Sequence, residues 1–434
     1  MGSIAQTVES ILGESQVVPW EALAEPWPGT IRRAIADTLP QCIAYPTNPE
    51  QLAEVVACAH QNQWRVLPCG HGSKLHWGAL VTGADIVIST RQLNQVIEHA
   101  EGDLTITAQA GVPFAEVQAL LLEKRQFLAI DPAYADRATL GGIVATRDNG
   151  ALRQRYGGIR DMLIGVSFVR YDGQMAKAGG RVVKNVAGYD LMKLMSGSFG
   201  TLGVLTQLTF RTYPLQEASQ TAILTGDADA IQKLTAEVLL SSLTPVAMDV
   251  LSHLLLPDQP SGKLGLALEF QSIAAGVAEQ VERLQAIAQP YNLRFQRLSA
   301  EAGSQFWRGC TATLFAEQAT DAAIAKLGIL PAKAVTLMNF LAASLSPDTW
   351  QARIHAGSGL GTLRLSTEQN SVEVLREVRS RCKSAGGYLQ LLEAPQDWKQ
   401  KFAPWGIDES AKILMSRLRE KFDPQGQFSP GRMG

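Results

Sequence analysis

Between residues 179 and 206 the chain reads GGRVVKNVAGYDLMKLMSGSFGTLGVLT, and no other stretch limits its fold so sharply. The pattern implies a loop, a short helix, a glycine-punctuated turn and a strand opening at Gly203. Gly200 and Gly203 suit a turn that needs positive φ, or a backbone pressed against a ligand. A tight helix-to-strand corner with no ligand satisfies the same pattern. Two more glycine loops upstream shift the balance towards a ligand.

The first of these follows a strand at 65–68 and runs through Pro68-Cys69-Gly70-His71-Gly72-Ser73-Lys74. Successive N–H groups in such a turn form a concave nest for an anion, to which the Ser73 hydroxyl adds a donor and Lys74 a charge. The second begins at Asp131-Pro132, continues as Ala138-Thr139-Leu140-Gly141-Gly142-Ile143-Val144-Ala145-Thr146 and ends at Asn149-Gly150. Its Gly-Gly pair lets a cofactor lie on bare backbone, or lets a helix and a strand cross closely. Around these loops, Asn48-Pro49 caps a helix whose buried face is Leu52, Val55, Val56 and Ala59. Residues 85–89 and 104–108 read as strands, and 111–125 as a turn and helix. This strand–strand–helix order belongs to an α+β domain, and no G-x-G-x-x-G follows an opening strand as a Rossmann site requires.

At 434 residues the chain exceeds one ordinary core, so two or three domains are expected. A net charge of −2 argues against a nucleic-acid partner. The five cysteines are scattered without a CxxC pair, which favours a reducing compartment and provides no iron–sulfur or zinc ligand set. The opening MGSIAQTVESILGES lacks a basic region followed by an apolar core, and no apolar run reaches membrane-spanning length. A cytoplasmic location is the expectation.

Pro214 marks a natural boundary. Beyond it, 246–251, 264–270, 336–342 and 361–365 are strand candidates, and 276–289 and 372–384 helix candidates. They suggest an antiparallel sheet backed by helices.

The 184–204 motifs (KNVAGYDL, then GS-x-GTLGV), the Cys69–Lys74 turn, the ATLGGIVAT run and FDPQGQFSPGR at 422–432 together resemble the FAD-binding domain of the p-cresol methylhydroxylase (PCMH) and vanillyl-alcohol oxidase type. Over most of the chain the motif order resembles the FAD-binding subunit of bacterial glycolate oxidase. The resemblance implies an α+β fold: a lead-in at 1–40, a PCMH-type domain of two α+β subdomains at 41–214, an antiparallel-sheet cap at 215–394, and a C-terminal segment at 395–434 returning to the FAD domain. Carried over by position, Pro68, Cys69, Gly70, His71, Gly72, Ser73 and Lys74 would hold the FAD pyrophosphate. Pro132, Thr139, Gly141, Gly142 and Ala145 would follow its diphosphate and ribityl edge, Asn149 its ring, and Gly203 and Val204 its adenine end. Lys184 and Tyr189 would lie near the domain's inner surface. Relatives that bind flavin covalently use a histidine where this chain has Gly72, so non-covalent FAD is expected. Phe199 stands where many relatives have Glu, and Ser429 where they have Asn.

The segment from Arg353 to Thr362, RIHAGSGLGT, resembles the family's H-x-H-x-G-D-G-N-x-H, whose histidines hold a divalent metal near the substrate. Only His355, Gly357 and Gly359 match, so no metal is expected. His355 remains a candidate base, with Arg353 or Arg364 as candidate carboxylate ligands. The resemblance implies a subunit that shares glycolate oxidation with a related FAD-containing catalytic subunit and an iron–sulfur subunit, membrane-associated at most through that complex. The alternatives are a self-sufficient 2-hydroxy-acid dehydrogenase and a non-catalytic flavin-retaining assembly subunit.

Overall fold

The computed structural model describes residues 2–180, 189–258, 262–316, 322–367 and 371–433. These residues divide into two compact units. One comprises Met1–Asn149, Gly158–Leu215 and Ile407–Gly434, the other Gly150–Gly157 and Gln216–Gly406.

The first unit holds two principal sheets. In the four-stranded one, Val17–Pro19, Cys42–Ala44, Ile86–Ser89 and Val66–Cys69 lie in that spatial order, the last three mutually parallel. Helix Pro49–Gln61 starts as its sequence dictates, with Asn48 Oδ1 accepting from Gln51 N at 2.8 Å and Pro49 at the first helical position. Its buried face, Leu52, Val55, Val56 and Ala59, packs with Ile86 and Ile88 of the sheet. The lead-in, whose role is not legible in the sequence, joins this core through Ile4, Ala5, Val8 and Leu12 of helix Ile4–Leu12. The other sheet is an antiparallel set of five in the order Met175–Gly179, Leu163–Val169, Val204–Arg211, Thr105–Gln109 and Val96–Ala100.

Register in the parallel sheet is pinned by Asp85. Its carboxylate accepts from Arg65 N at 2.7 Å, Nε at 3.1 Å and Nη2 at 2.8 Å, tying the start of one strand to its neighbour. Burial alone raises the Asp85 carboxyl, but the Arg65 hydrogen bonds and charge outweigh it and hold its pKa below the ordinary 3.8. A depressed carboxyl contributes stability above its unfolded pKa and loses it as pH falls through the folded value. Asp85→Asn is therefore expected to cost about 1–2 kcal/mol at pH 7, a figure discounted for the pair's partial exposure. The deficit relative to wild type should close as pH falls through the folded-state value, which lies below the ordinary 3.8. Urea unfolding of both proteins at pH 7 and in acid checks this, and a pH-independent deficit would contradict it.

The second unit is built on one fully antiparallel sheet of eight strands. Its order is Arg294–Leu298, Ala218–Gly226, Leu264–Ser272, Ala247–Ser252, Trp350–His355, Leu360–Ser366, Ala322–Gly328 and Tyr388–Glu393. Helices Ala228–Leu240, Ala274–Ala288, Ala334–Ser344 and Ser371–Ser384 cover it, their apolar faces sharing a core with Phe270, Trp350 and Leu363. Residues 336–342, which read as a strand, lie inside helix Ala334–Ser344. That helix buries Ala334, Val335, Leu337, Met338 and Leu341, a helical spacing hidden within a run too uniformly apolar to show a period. No helix among the described residues is long and apolar enough to cross a membrane.

Candidate functional site

The strand Val66–Cys69 sets Cys69 beside Ser89, and that register builds the first wall of a cleft in the first unit. Buried Ser89 donates its hydroxyl to Gly70 O at 2.8 Å, and buried Thr90 donates to Cys69 O at 3.2 Å. A trans peptide points its N–H opposite its C=O. Anchoring these two carbonyls therefore turns the Gly70 and His71 amides away from Ser89 and Thr90. Among the described residues, the amides of Gly70, His71, Gly72 and Ser73 donate to no protein acceptor. Gly72 takes a φ of +78°, which lets the turn close. Four successive unsatisfied donors form an anion nest.

The second wall works differently. Thr139 caps the helix Leu140–Thr146, its Oγ1 accepting from Gly142 N at 3.1 Å. Leu140 N donates to Val112 O at 3.0 Å and Gly141 N to Ala110 O at 2.8 Å. These amides are satisfied within the protein, so Gly141 and Gly142 contribute smooth surface, not donors. The two walls touch where a Cβ on Gly70 would stand 2.3 Å from Thr139 Oγ1. Gly200 and Gly203, at φ of +70° and +148°, carry the third wall past Phe199 into the strand Val204–Arg211.

Together the walls line one open cleft. Pro68, Cys69, Gly70, His71, Gly72, Ser73, Lys74, Thr139, Gly141, Gly142, Ala145, Gly203 and Val204 all line it, joined by Thr90, Phe199 and Arg432. Pro132 and Asn149 do not. Pro132 is buried, and Asn149 spaces its own loop by donating to Arg147 O at 3.0 Å and accepting from Ile159 N at 2.6 Å. Tyr189 is 89% exposed and not on an inner surface, while Lys184 lies outside the described residues.

Lys74 is not the isolated positive charge that its position in the loop suggests. Its Nζ lies 2.8 Å from Asp148 Oδ2, both side chains being almost wholly buried, and the same oxygen accepts from Ala133 N at 2.9 Å. Sequence reading missed Asp148, which stands in the second loop beside Asn149. Partial desolvation, and then the Arg91 charge, hold the His71 imidazole below its ordinary pKa, so it enters the cleft's rim neutral at pH 7.

In the second unit, the strands Ala247–Ser252 and Trp350–His355 pair Asp249 with His355. His355 Nδ1 and Asp249 Oδ1 are 2.6 Å apart, and Arg353 Nε stands 3.7 Å from Asp249 Oδ2. All three are buried, and Arg353 Nη1 also donates to Thr311 Oγ1 at 3.0 Å. Arg364 donates to Leu314 O and Ala316 O, at 3.2 and 3.1 Å. These residues do not fit a metal: one imidazole and one carboxylate are spent on each other, beside a fixed cation. Among the described residues no cluster of three or more His, Cys, Asp or Glu could hold a metal ion.

Residues 40–179 match the FAD binding domain family. Over 424 residues the chain is 26% identical to glycolate oxidase subunit GlcD of Bacillus subtilis (strain 168), covering 91% of this chain and 89% of that one. It is 27% identical over 387 residues to glycolate oxidase subunit GlcE of Escherichia coli (strain K12), covering 88% and 97%. It is 24% identical over 426 residues to the mitochondrial cytochrome-type D-lactate dehydrogenase of Arabidopsis thaliana, covering 92% and 74%. The fold resembles that of an alkyldihydroxyacetonephosphate synthase, with a TM-score of 0.72 at 14% identity over 98% of this chain and 84% of that one. The cleft fits FAD, offering consecutive amide donors to a diphosphate and a small-residue floor to the rest. Residues 40–179 thus form an FAD-binding domain, and over nearly its full length the chain is similar to proteins named as glycolate oxidase subunits.

Proposed function

We propose that this chain is an FAD-holding subunit of a multi-subunit glycolate oxidase. A related flavin subunit oxidises glycolate to glyoxylate, and an iron–sulfur subunit carries the electrons onward. The observation that carries this reading is the closed Asp249–His355–Arg353 cluster. Arg353, the side chain best suited to bind the carboxylate of a 2-hydroxy acid, is buried against Asp249, and the same aspartate takes the Nδ1 of His355. The flavin cleft is lined by first-unit residues, so the chain is equipped to hold its cofactor, while its candidate carboxylate ligand Arg353 is turned to Asp249. Bound FAD would supply the redox chemistry; the amides of residues 70–73 would orient its diphosphate, and the Gly141–Gly142 surface would let it lie against bare backbone. Likeness over nearly the full length to two proteins named as glycolate oxidase subunits supports a place in such a complex. A cytoplasmic location, with membrane contact only through partners, is part of the proposal.

Likeness to a D-lactate dehydrogenase favours the second reading, a self-sufficient 2-hydroxy-acid dehydrogenase. Anaerobic mixing of the FAD-loaded chain with glycolate or D-lactate separates the two. We expect no bleaching of the flavin absorbance with the chain alone, and bleaching by glycolate once the partner subunits are present. Bleaching of the isolated chain would favour the second reading.

A further inference from the structure

Arg432 reaches the cofactor cleft from the far end of the chain. Its segment is drawn in by main-chain pairing: Val66 N donates to Gln427 O at 2.8 Å, and Ser429 N to Val66 O at 2.9 Å. Asp423 fixes the turn before it by accepting from Gln427 N and Phe428 N, at 2.9 and 2.7 Å. The guanidinium, 3% exposed, then donates to Leu75 O at 2.8 Å, Trp77 O at 2.7 Å and Ala79 O at 2.9 Å. A planar fork of five N–H groups can meet several carbonyls of one bent segment at once, which a lysine cannot match. Burial lowers its pKa only to about 10, so it stays charged at neutral pH.

The gripped residues 75–79 directly follow the amide nest. On the other side, Ser89 and Thr90 anchor the carbonyls of Gly70 and Cys69. The nest is thus suspended between two fixed points, and only one belongs to its own sheet. We propose that Arg432 is a positioning residue for the cofactor: its hold on residues 75–79 presents the amides of residues 70–73 to the diphosphate. The inference rests on the cleft taking FAD.

The test uses the full chain stripped of flavin, at a temperature where circular dichroism shows every variant folded. Arg432→Met should speed hydrogen exchange in peptides spanning residues 70–79 and raise the FAD Kd at least tenfold, mainly through faster release. Arg432→Lys, which keeps the charge but not the fork, should fall between. Gln427→Leu is the control, since it removes a contact of the same segment with Val56 O and leaves the grip on residues 75–79 intact. It should bind FAD as wild type does. Wild-type exchange and a Kd within twofold in Arg432→Met would overturn the proposal, as would an equal loss of affinity in Gln427→Leu. If Arg432→Met does not fold, Arg432→Lys decides alone, and wild-type exchange and affinity in it would overturn the proposal. Faster exchange in a variant whose wild-type parent takes no FAD would sustain the grip on the loop and overturn the cofactor assignment instead.

Discussion

Lys74→Met is expected to lower the stability of the flavin-stripped first unit by about 3–5 kcal/mol, and Asp148→Asn by a similar amount. The double variant Lys74→Met/Asp148→Asn should regain most of what either loses. Lys74 and Asp148 are almost wholly buried at 2.8 Å, so each ion's lost hydration is offset by the other. Removing one charge strands its partner where water cannot reach, and the penalty is the uncompensated ion, not the lost attraction. Removing both leaves two neutral side chains of similar volume. Asparagine at 148 can still accept from Ala133 N, which keeps the loop's own bond intact. Unfolding of the apoproteins in urea, followed on the transition of the first unit, gives a double-mutant cycle. A coupling energy of about 2 kcal/mol or more is expected. Strictly additive losses would mean that the two charges act separately.

This pair also marks where sequence reading stops. The glycine loops were legible because their signal is local: a turn that must present its amides or take positive φ announces itself in consecutive residues. Gly70, Thr139, Gly141 and Gly203, widely separated in the chain, line one cleft. Lys74 was legible as a cation but not as half of a pair, because Asp148 comes from a different loop and nothing near either residue names the other. The same holds for Asp249 and His355, joined only by strand register, and for Arg432, whose carbonyl partners leave no trace in side-chain pattern. Asn149 matched its motif position yet braces its own loop's backbone, since a motif fixes a chain path more firmly than it fixes which atoms face a ligand. Residues 336–342 failed for a simpler reason: without polar interruptions an apolar run fits a strand or a buried helix equally well.

Removing the carboxylate of Asp249 should be comparably costly in the second unit and should decide what the His355 cluster is for. Asp249→Asn is expected to destabilise that unit by about 3–5 kcal/mol, because Arg353, 2% exposed, loses the anion beside it. Arg353→Met alone should cost about as much by stranding the carboxylate, and Arg353→Met/Asp249→Asn should recover part of the loss. Thr311 Oγ1 would then lack the donor it now has, so recovery falls short of complete. The FAD Kd of Asp249→Asn, measured cold on folded protein, should equal that of wild type, since the cofactor cleft is lined by first-unit residues alone. A catalytic cluster would behave in the opposite way. If Asp249 oriented His355 as a base, its loss would cut flavin reduction by a 2-hydroxy acid many-fold while leaving stability nearly untouched. Stability loss with unchanged flavin affinity, in a chain that alone is not reduced by glycolate, would assign the cluster to holding the eight-stranded sheet together and substrate oxidation to a partner. A stable Asp249→Asn protein with impaired reduction would reverse that assignment.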